Sequence, residues 1–346
     1  MLRHRATAKA CARHSRFQKN GVRKNIASRW ALASAVFAAV AVTGVSADTL
    51  AQPKDDALER AAANYIRFRE DVAAIEAMAF DSAEVTREAH RRLGAHNAGE
   101  ISSGWVAYAA LVASDTPEFA ASIKKEIKKR RRGKNPGGQA GLMMNLALDP
   151  SYARKLNGAE TAIASVLAMT AQDAARVTAL GEAFKSQAYA MQKTSWGKAR
   201  VANGQKRLAE VDTFRRSRGA AEAPAFARPA KGGVVAPSLA SANEFWAADW
   251  GEQTSASDMS ESNAQAVIDR VLNLAARYST DAMNSKLVEV YARNDKSNRC
   301  LSMAKLTLDQ CIAATRTPYE EAFCLGEHAL NDVASCVSWV NGASAS

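Results

Sequence analysis

Four thiols near the end of a 346-residue chain, Cys300, Cys311, Cys324 and Cys336, are its most chemically informative residues; the one other cysteine is Cys11. Such a set either binds a metal or pairs as disulfides. Zinc requires its sulfurs to converge on one tetrahedral ion with bonds of ~2.3 Å. On helices rising ~1.5 Å per residue, Cys300 and Cys311 stand ~16 Å apart and Cys324 and Cys336 ~18 Å apart. They cannot converge. Cys324 and His328, at i and i+4, share a helix face, but two ligands alone do not hold an ion. The spacing therefore predicts disulfides and no metal.

Helix geometry also selects the pairing. Thr317-Pro318-Tyr319-Glu320 is a helix start, with Thr317 as N-cap, Pro318 at the first helical position and Glu320 closing a capping box. One helix is expected from about Asn298 to Ala314 and an antiparallel one from Pro318 to about Val340. Four cysteines allow three pairings, and a bridge needs Cα atoms within ~7 Å. Only an inner Cys311–Cys324 and an outer Cys300–Cys336 bridge satisfy that in a hairpin. Cys300 and Cys311 return to within ~20° of one face at 3.6 residues per turn. Cys324 and Cys336 miss by ~120° on the same rule, so the outer bridge requires local unwinding or a swung side chain. The layout resembles the coiled-coil-helix hairpins built from twin CX9C segments, here with CX10C and CX11C spacings. The likeness is one of geometry and implies no family or function.

Other reactive side chains form no set. Ser-x-x-Lys occurs at Ser122–Lys125, Ser195–Lys198 and Ser302–Lys305, without the Ser-Asp-Asn and Lys-Thr-Gly that accompany it in penicillin-binding proteins. His90 and His96 lie six residues apart on different helix faces and are expected to be solvated. "GKNPGG" lacks the spacing and preceding strand of a phosphate loop. Trp246 and Trp250 share a face and read as core or docking anchors. No catalytic group, cofactor site or metal site is assigned.

The clearest surface feature is "KKEIKKRRRGK". Lys124, Lys125, Lys128, Lys129, Arg130, Arg131, Arg132 and Lys134 set eight positive charges against Glu126 alone. Phe119, Ile123 and Ile127 recur every four residues, making one stripe apolar and the opposite face basic. This face suits anionic lipid headgroups or another envelope polyanion.

Export is expected from the first 47 residues. Residues 1–30 hold nine Lys or Arg and no acid, and an uncharged apolar run, "ALASAVFAAVAVTGVSA", leads to a small-x-small site ending at Ala47. That pattern reads as a signal peptide cleaved after Ala47, with a periplasmic or secreted product. The competing expectation is an uncleaved inner-membrane anchor facing the periplasm, although the run is short for a span of ~20 residues. Translation starting near Val22 would account for the long leader. The leader carries nine of 46 basic residues and none of the 35 acidic ones, so the mature charge is 37 − 35, or +2, not +11. Nucleic acid is excluded as a partner on that balance.

The elements that position these residues are helical. Leu58, Ala61, Tyr65, Phe68, Val72, Ile75 and Ala79 alternate three- and four-residue steps, predicting a helix over about 55–79 with a coiled-coil-like seam. Asp81 and Glu84 are expected to cap a second helix, Ile101 to Ser114 to form a third, and Thr116-Pro117 to open a fourth. A second long helix spans Ala159 to Met191, with breaks expected near Gly197 and Gly204. Period-2 apolar runs are absent. The predicted class is all-α: long amphipathic helices in a bundle or coiled-coil-like arrangement, ending in a disulfide-stapled antiparallel hairpin. Its expected organisation is a signal peptide at 1–47, a helical domain at 48–216, a Pro-rich flexible linker at 217–240 and a smaller C-terminal domain at 241–346. The functional expectation is an exported, non-enzymatic envelope binding or scaffold protein, with self-association or partner helices. The rival from another class is an envelope hydrolase whose catalytic group is not identified.

Overall fold

A computed structural model describes residues 56–132, 138–221 and 261–342. The leader, the Ala47 cleavage site, Lys134, linker residues 222–240 and Trp246 and Trp250 lie outside the described residues. Within them the chain is helical without strands: α1 (Ala57–Glu76), α2 (Ala83–Gly94), α3 (Ala98–Ser114), α4 (Pro117–Arg132), α5 (Gly138–Leu148), α6 (Ala159–Met191), α7 (Gly204–Arg218), α8 (Glu261–Tyr278), α9 (Ser285–Tyr291) and α10 (Asp295–Ala314). The last helix, α11, runs from Pro318–Cys324 through a π-helical segment, Leu325–Asn331, into Asp332–Ser338.

The core is built around α3. Its "WVAYAALVA" run is apolar on all sides, the pattern of a helix enclosed by others, and Trp105 to Leu111 are all buried. Helices α1, α6, α8 and α10 pack around it. Gly104 sets the closest approach, since a Cβ there would stand 2.8 Å from the Tyr65 backbone nitrogen of α1. Asn97 caps α3 by accepting from the Gly99 N–H at 2.8 Å. Ser82, rather than Asp81, occupies the N-cap position of α2.

Among the described residues, the C-terminal helices share one core with the N-terminal ones. Helices α8, α10 and α11 contribute Ile268, Leu272, Leu308 and Leu330 to the same buried cluster as Tyr65, Trp105 and Phe184. The described residues belong to one compact unit. The C-terminal helices pack on the apolar faces of α3 and α6. Helix α7 also extends into the expected linker, ending at Arg218.

Both bridges form as the spacing requires: Cys311–Cys324 with Cα atoms 5.7 Å apart and Cys300–Cys336 with 5.4 Å. Glu320 accepts from the Thr317 N–H at 3.0 Å and fixes the start of α11. The unwinding required by the outer bridge is the π segment. A π-helix holds about 4.4 residues per turn, ~82° per residue, against ~100° for an α-helix. Seven such steps and five α steps carry Cys324 to within ~10° of Cys336, erasing the ~120° offset. That segment lies on α6 through two glycines, and a Cβ on Gly326 would come within 2.6 Å of the Gly181 carbonyl oxygen.

Candidate functional site

The basic run lies on a true amphipathic helix. Phe119 and Ile123 are fully buried, and Ile127 packs half-buried beside them. Three to four residues on, Lys124, Lys125, Lys128 and Lys129 are exposed. Among the described residues, none of these four ammonium groups has a carboxylate within 4.0 Å. The helix continues through Arg130, Arg131 and Arg132.

Two of the three candidate serines, Ser122 and Ser302, are engaged by their own helices. The Ser122 hydroxyl donates to the Phe119 carbonyl at 2.8 Å and that of Ser302 to Asn298 at 2.7 Å. Lys305 pairs with Asp309 at 2.8 Å. Cys324 is committed to its bridge and His328 Nδ1 lies 2.9 Å from Asp332. Among the described residues no group of three or more His, Cys, Asp or Glu is placed to hold a metal.

His90 and His96 correct the sequence reading, because both are buried, with 3% and 9% exposure. Each faces a carboxylate from another helix. His96 Nε2 lies 2.7 Å from Asp71, which also accepts from Arg92 at 3.0 Å and Arg218 at 2.7 Å. Burial works to raise the Asp71 carboxyl, but hydrogen bonds to His96 and Arg218 hold it below the usual carboxylate range. His90 lies 3.8 Å from Glu321. Burial lowers its imidazole to about 4, with the cations Arg207 and Lys305 acting in the same sense.

Glu321 and Arg207 tie the start of α11 to α2 and α7. Thr86 donates to Glu321 at 2.9 Å and Arg207 at 3.2 Å. Arg207 also donates to Thr315 Oγ1 at 2.7 Å and to the carbonyls of Ala202, Ile312 and Thr315. Burial pushes the Glu321 carboxyl up, against the lowering pull of Thr86 and Arg207. A third network joins Tyr65 to Asp173 at 3.0 Å, Arg69 to Asp173 at 3.1 Å and Arg69 to the Tyr108 hydroxyl at 2.6 Å. Arg176 is bidentate on Glu76.

These networks were missed in the sequence, although two of them left a trace. Asp71 directly precedes Val72 of the α1 seam, and Asp173 and Arg176 flank Ala174 and Val177 of α6. A charged residue beside an apolar stripe signals a buried partner.

Two hollows mark the surface near the start of α3. One, about 450 Å³, is lined by Ser102, Ser103, Asn294 and Asn298. The other, about 560 Å³, is lined by Arg60, Arg67, Arg215 and Arg218 with Glu100. An apolar groove of about 340 Å³ with Tyr189, Tyr319 and Phe323 borders the inner disulfide.

The architecture defines an all-α bundle with a doubly bridged terminal hairpin and a basic surface helix. Compared with protein-family models, curated proteins and solved structures, the chain matches none.

Proposed function

We propose that the protein is an exported, non-enzymatic binding or scaffold module of the cell envelope, held to an anionic surface by α4. The observation that carries this reading is the run of exposed lysines, Lys124, Lys125, Lys128 and Lys129, without carboxylate partners among the described residues, on a helix anchored by Phe119 and Ile123. A rigid helix presents these charges without the entropy loss of ordering a tail. Each basic residue near an anionic bilayer contributes about 1 kcal/mol, so four supply about 4 kcal/mol, or a partition near a thousandfold.

Two features support export. The paired cysteines suit an oxidising compartment, and the basic, acid-free segment before Ala47 has the pattern of a signal peptide. Among the described residues no helix is long and apolar enough to cross a membrane. Amino-terminal sequencing of the native protein is expected to begin at Asp48.

The attachment is tested by co-sedimentation with vesicles of phosphatidylglycerol and phosphatidylcholine against phosphatidylcholine alone. The wild type should pellet with the anionic vesicles and be released by salt. Lys124→Glu with Lys128→Glu and Lys129→Glu should abolish pelleting while leaving the circular dichroism spectrum unchanged. Equal pelleting by that variant ends the reading.

A further inference from the structure

The structure assigns a second anion site, separate from α4, to the cleft between α1, the α2–α3 corner and the end of α7: a pocket for a compact solute bearing a phosphate or carboxylate group. The cleft is about 560 Å³, within the range of small-ligand pockets. Its lining holds four arginines, Arg60, Arg67, Arg215 and Arg218, against one acid, Glu100. The carboxylates that pair with three of these arginines are Asp56, Asp212 and Asp71, and none of them lines the cleft. Glu100 is thus the one carboxylate residue in a lining that holds four arginines.

Arg67 is the centre of the site. It donates to the Gly219 carbonyl at 3.0 Å and to that of Ala220 at 2.7 Å. Those acceptors are neutral, and among the described residues no carboxylate lies within 4.0 Å of its guanidinium. Its charge is therefore fixed in place without a direct counter-ion. The clasp depends on Gly219, whose φ of 66° turns the chain as α7 ends. Two of the five N–H donors of Arg67 are used in it, leaving three for a ligand. Burial and the neighbouring cation Arg218 hold the Arg67 guanidinium below the usual arginine value, against the raising pull of Asp71, Glu70 and Glu100. An anion bridging Arg67 and Arg218 would cancel that repulsion.

Two further features fit an oxyanion. A planar guanidinium held by packing offers paired hydrogen bonds to phosphate or carboxylate. The rim also includes Asn97, the N-cap of α3, where the helix dipole favours negative charge. Helix α4 begins beyond the opposite end of α3, which at 17 residues is about 25 Å long. Surface attachment and solute binding thus use different parts of the molecule.

Isothermal titration calorimetry of the full mature chain with inorganic pyrophosphate and, separately, citrate tests the site. One of the two should bind saturably at one site per chain, and which one does assigns a phosphate or a carboxylate ligand. Arg67→Gln should weaken that binding about tenfold or more, as expected for losing a charge-assisted pair of hydrogen bonds. Because Arg67→Gln also loosens the α7 clasp, Asn64→Trp, which fills the cleft from α1, provides a second arm and should abolish binding. The α4 charge-reversal variant should bind as wild type does, so failure here and failure of vesicle attachment are separable. No saturable heat with either anion, binding that survives both cleft variants, or loss confined to the α4 variant overturns the assignment.

Discussion

Cys324 and Cys336 stand twelve residues apart on one helix, yet both reach sulfurs on α10, because the π segment Leu325–Asn331 between them removes the angular offset an α-helix would impose. The π turn and the outer bridge are thus one device. The bridge holds the widened turn, and the widened turn aims the cysteine.

Removing the two bridges should cost unequal stability. The outer bridge closes 36 residues and the inner one 13. Loop-closure entropy then gives about 4 and about 3 kcal/mol respectively. Urea unfolding of Cys300→Ser/Cys336→Ser should therefore show a lower midpoint than Cys311→Ser/Cys324→Ser. The reverse order would mean that contacts in the folded state, not chain entropy, set the contribution.

The glycine contact beneath the π turn is similarly checkable. Gly326→Ala drives a methyl against the Gly181 carbonyl and the Lys185 backbone nitrogen, which would lie 2.6 and 3.1 Å away. Backbone on both sides cannot yield cheaply, so the loss should be about 1–3 kcal/mol. At Gly342 a Cβ meets nothing within 4 Å, and Gly342→Ala should change the unfolding free energy little. Equal effects at the two positions would contradict the close packing of α11 on α6.

Local patterns were legible in the sequence wherever one helix face decides the outcome. The three- and four-residue steps from Ile163 to Met191 located α6, and Thr317-Pro318 located α11. The hairpin pairing followed from rise per residue and the reach of a disulfide. The single core did not follow, because periodicity reports that a face is apolar and not what covers it. Nor did the buried ions. Thr86 meets Glu321 across 235 positions and Arg218 meets Asp71 across 147; a charge beside an apolar stripe marks burial but does not name a partner so far along the chain. The basic face of α4 was legible because eight like charges need no partner to be noticed; the Arg67 cleft was not, because folding alone assembles it.

Arg207 and Glu321 should behave as a coupled pair. Arg207→Met strands a buried carboxylate and should cost about 3–5 kcal/mol. Arg207→Met with Glu321→Met removes the stranded charge, so the double variant should recover much of that loss. A double-mutant cycle by chemical unfolding measures the coupling. Additive effects would show that Thr86 alone satisfies Glu321.

His90 should make the fold sensitive to mild acid. Folded, its imidazole titrates at about 4, whereas an unfolded histidine titrates near ~6.5. As pH falls between these values the unfolded chain takes up a proton that the folded chain refuses, so stability declines through that window. At ~1.36 kcal/mol per pH unit, the difference approaches about 3 kcal/mol by pH ~4. Glu321 acts oppositely: burial raises its carboxyl in the fold, so its protonation favours the folded state as pH falls. The variant His90→Gln separates the two, since it keeps Glu321, Arg207 and Lys305 in place and removes the titrating ring. From pH 7 to pH 4, the stability of the wild type relative to His90→Gln should fall by about 3 kcal/mol. Parallel pH profiles for the two proteins would show that the ring accepts its proton inside the fold, with Glu321 as its counter-ion.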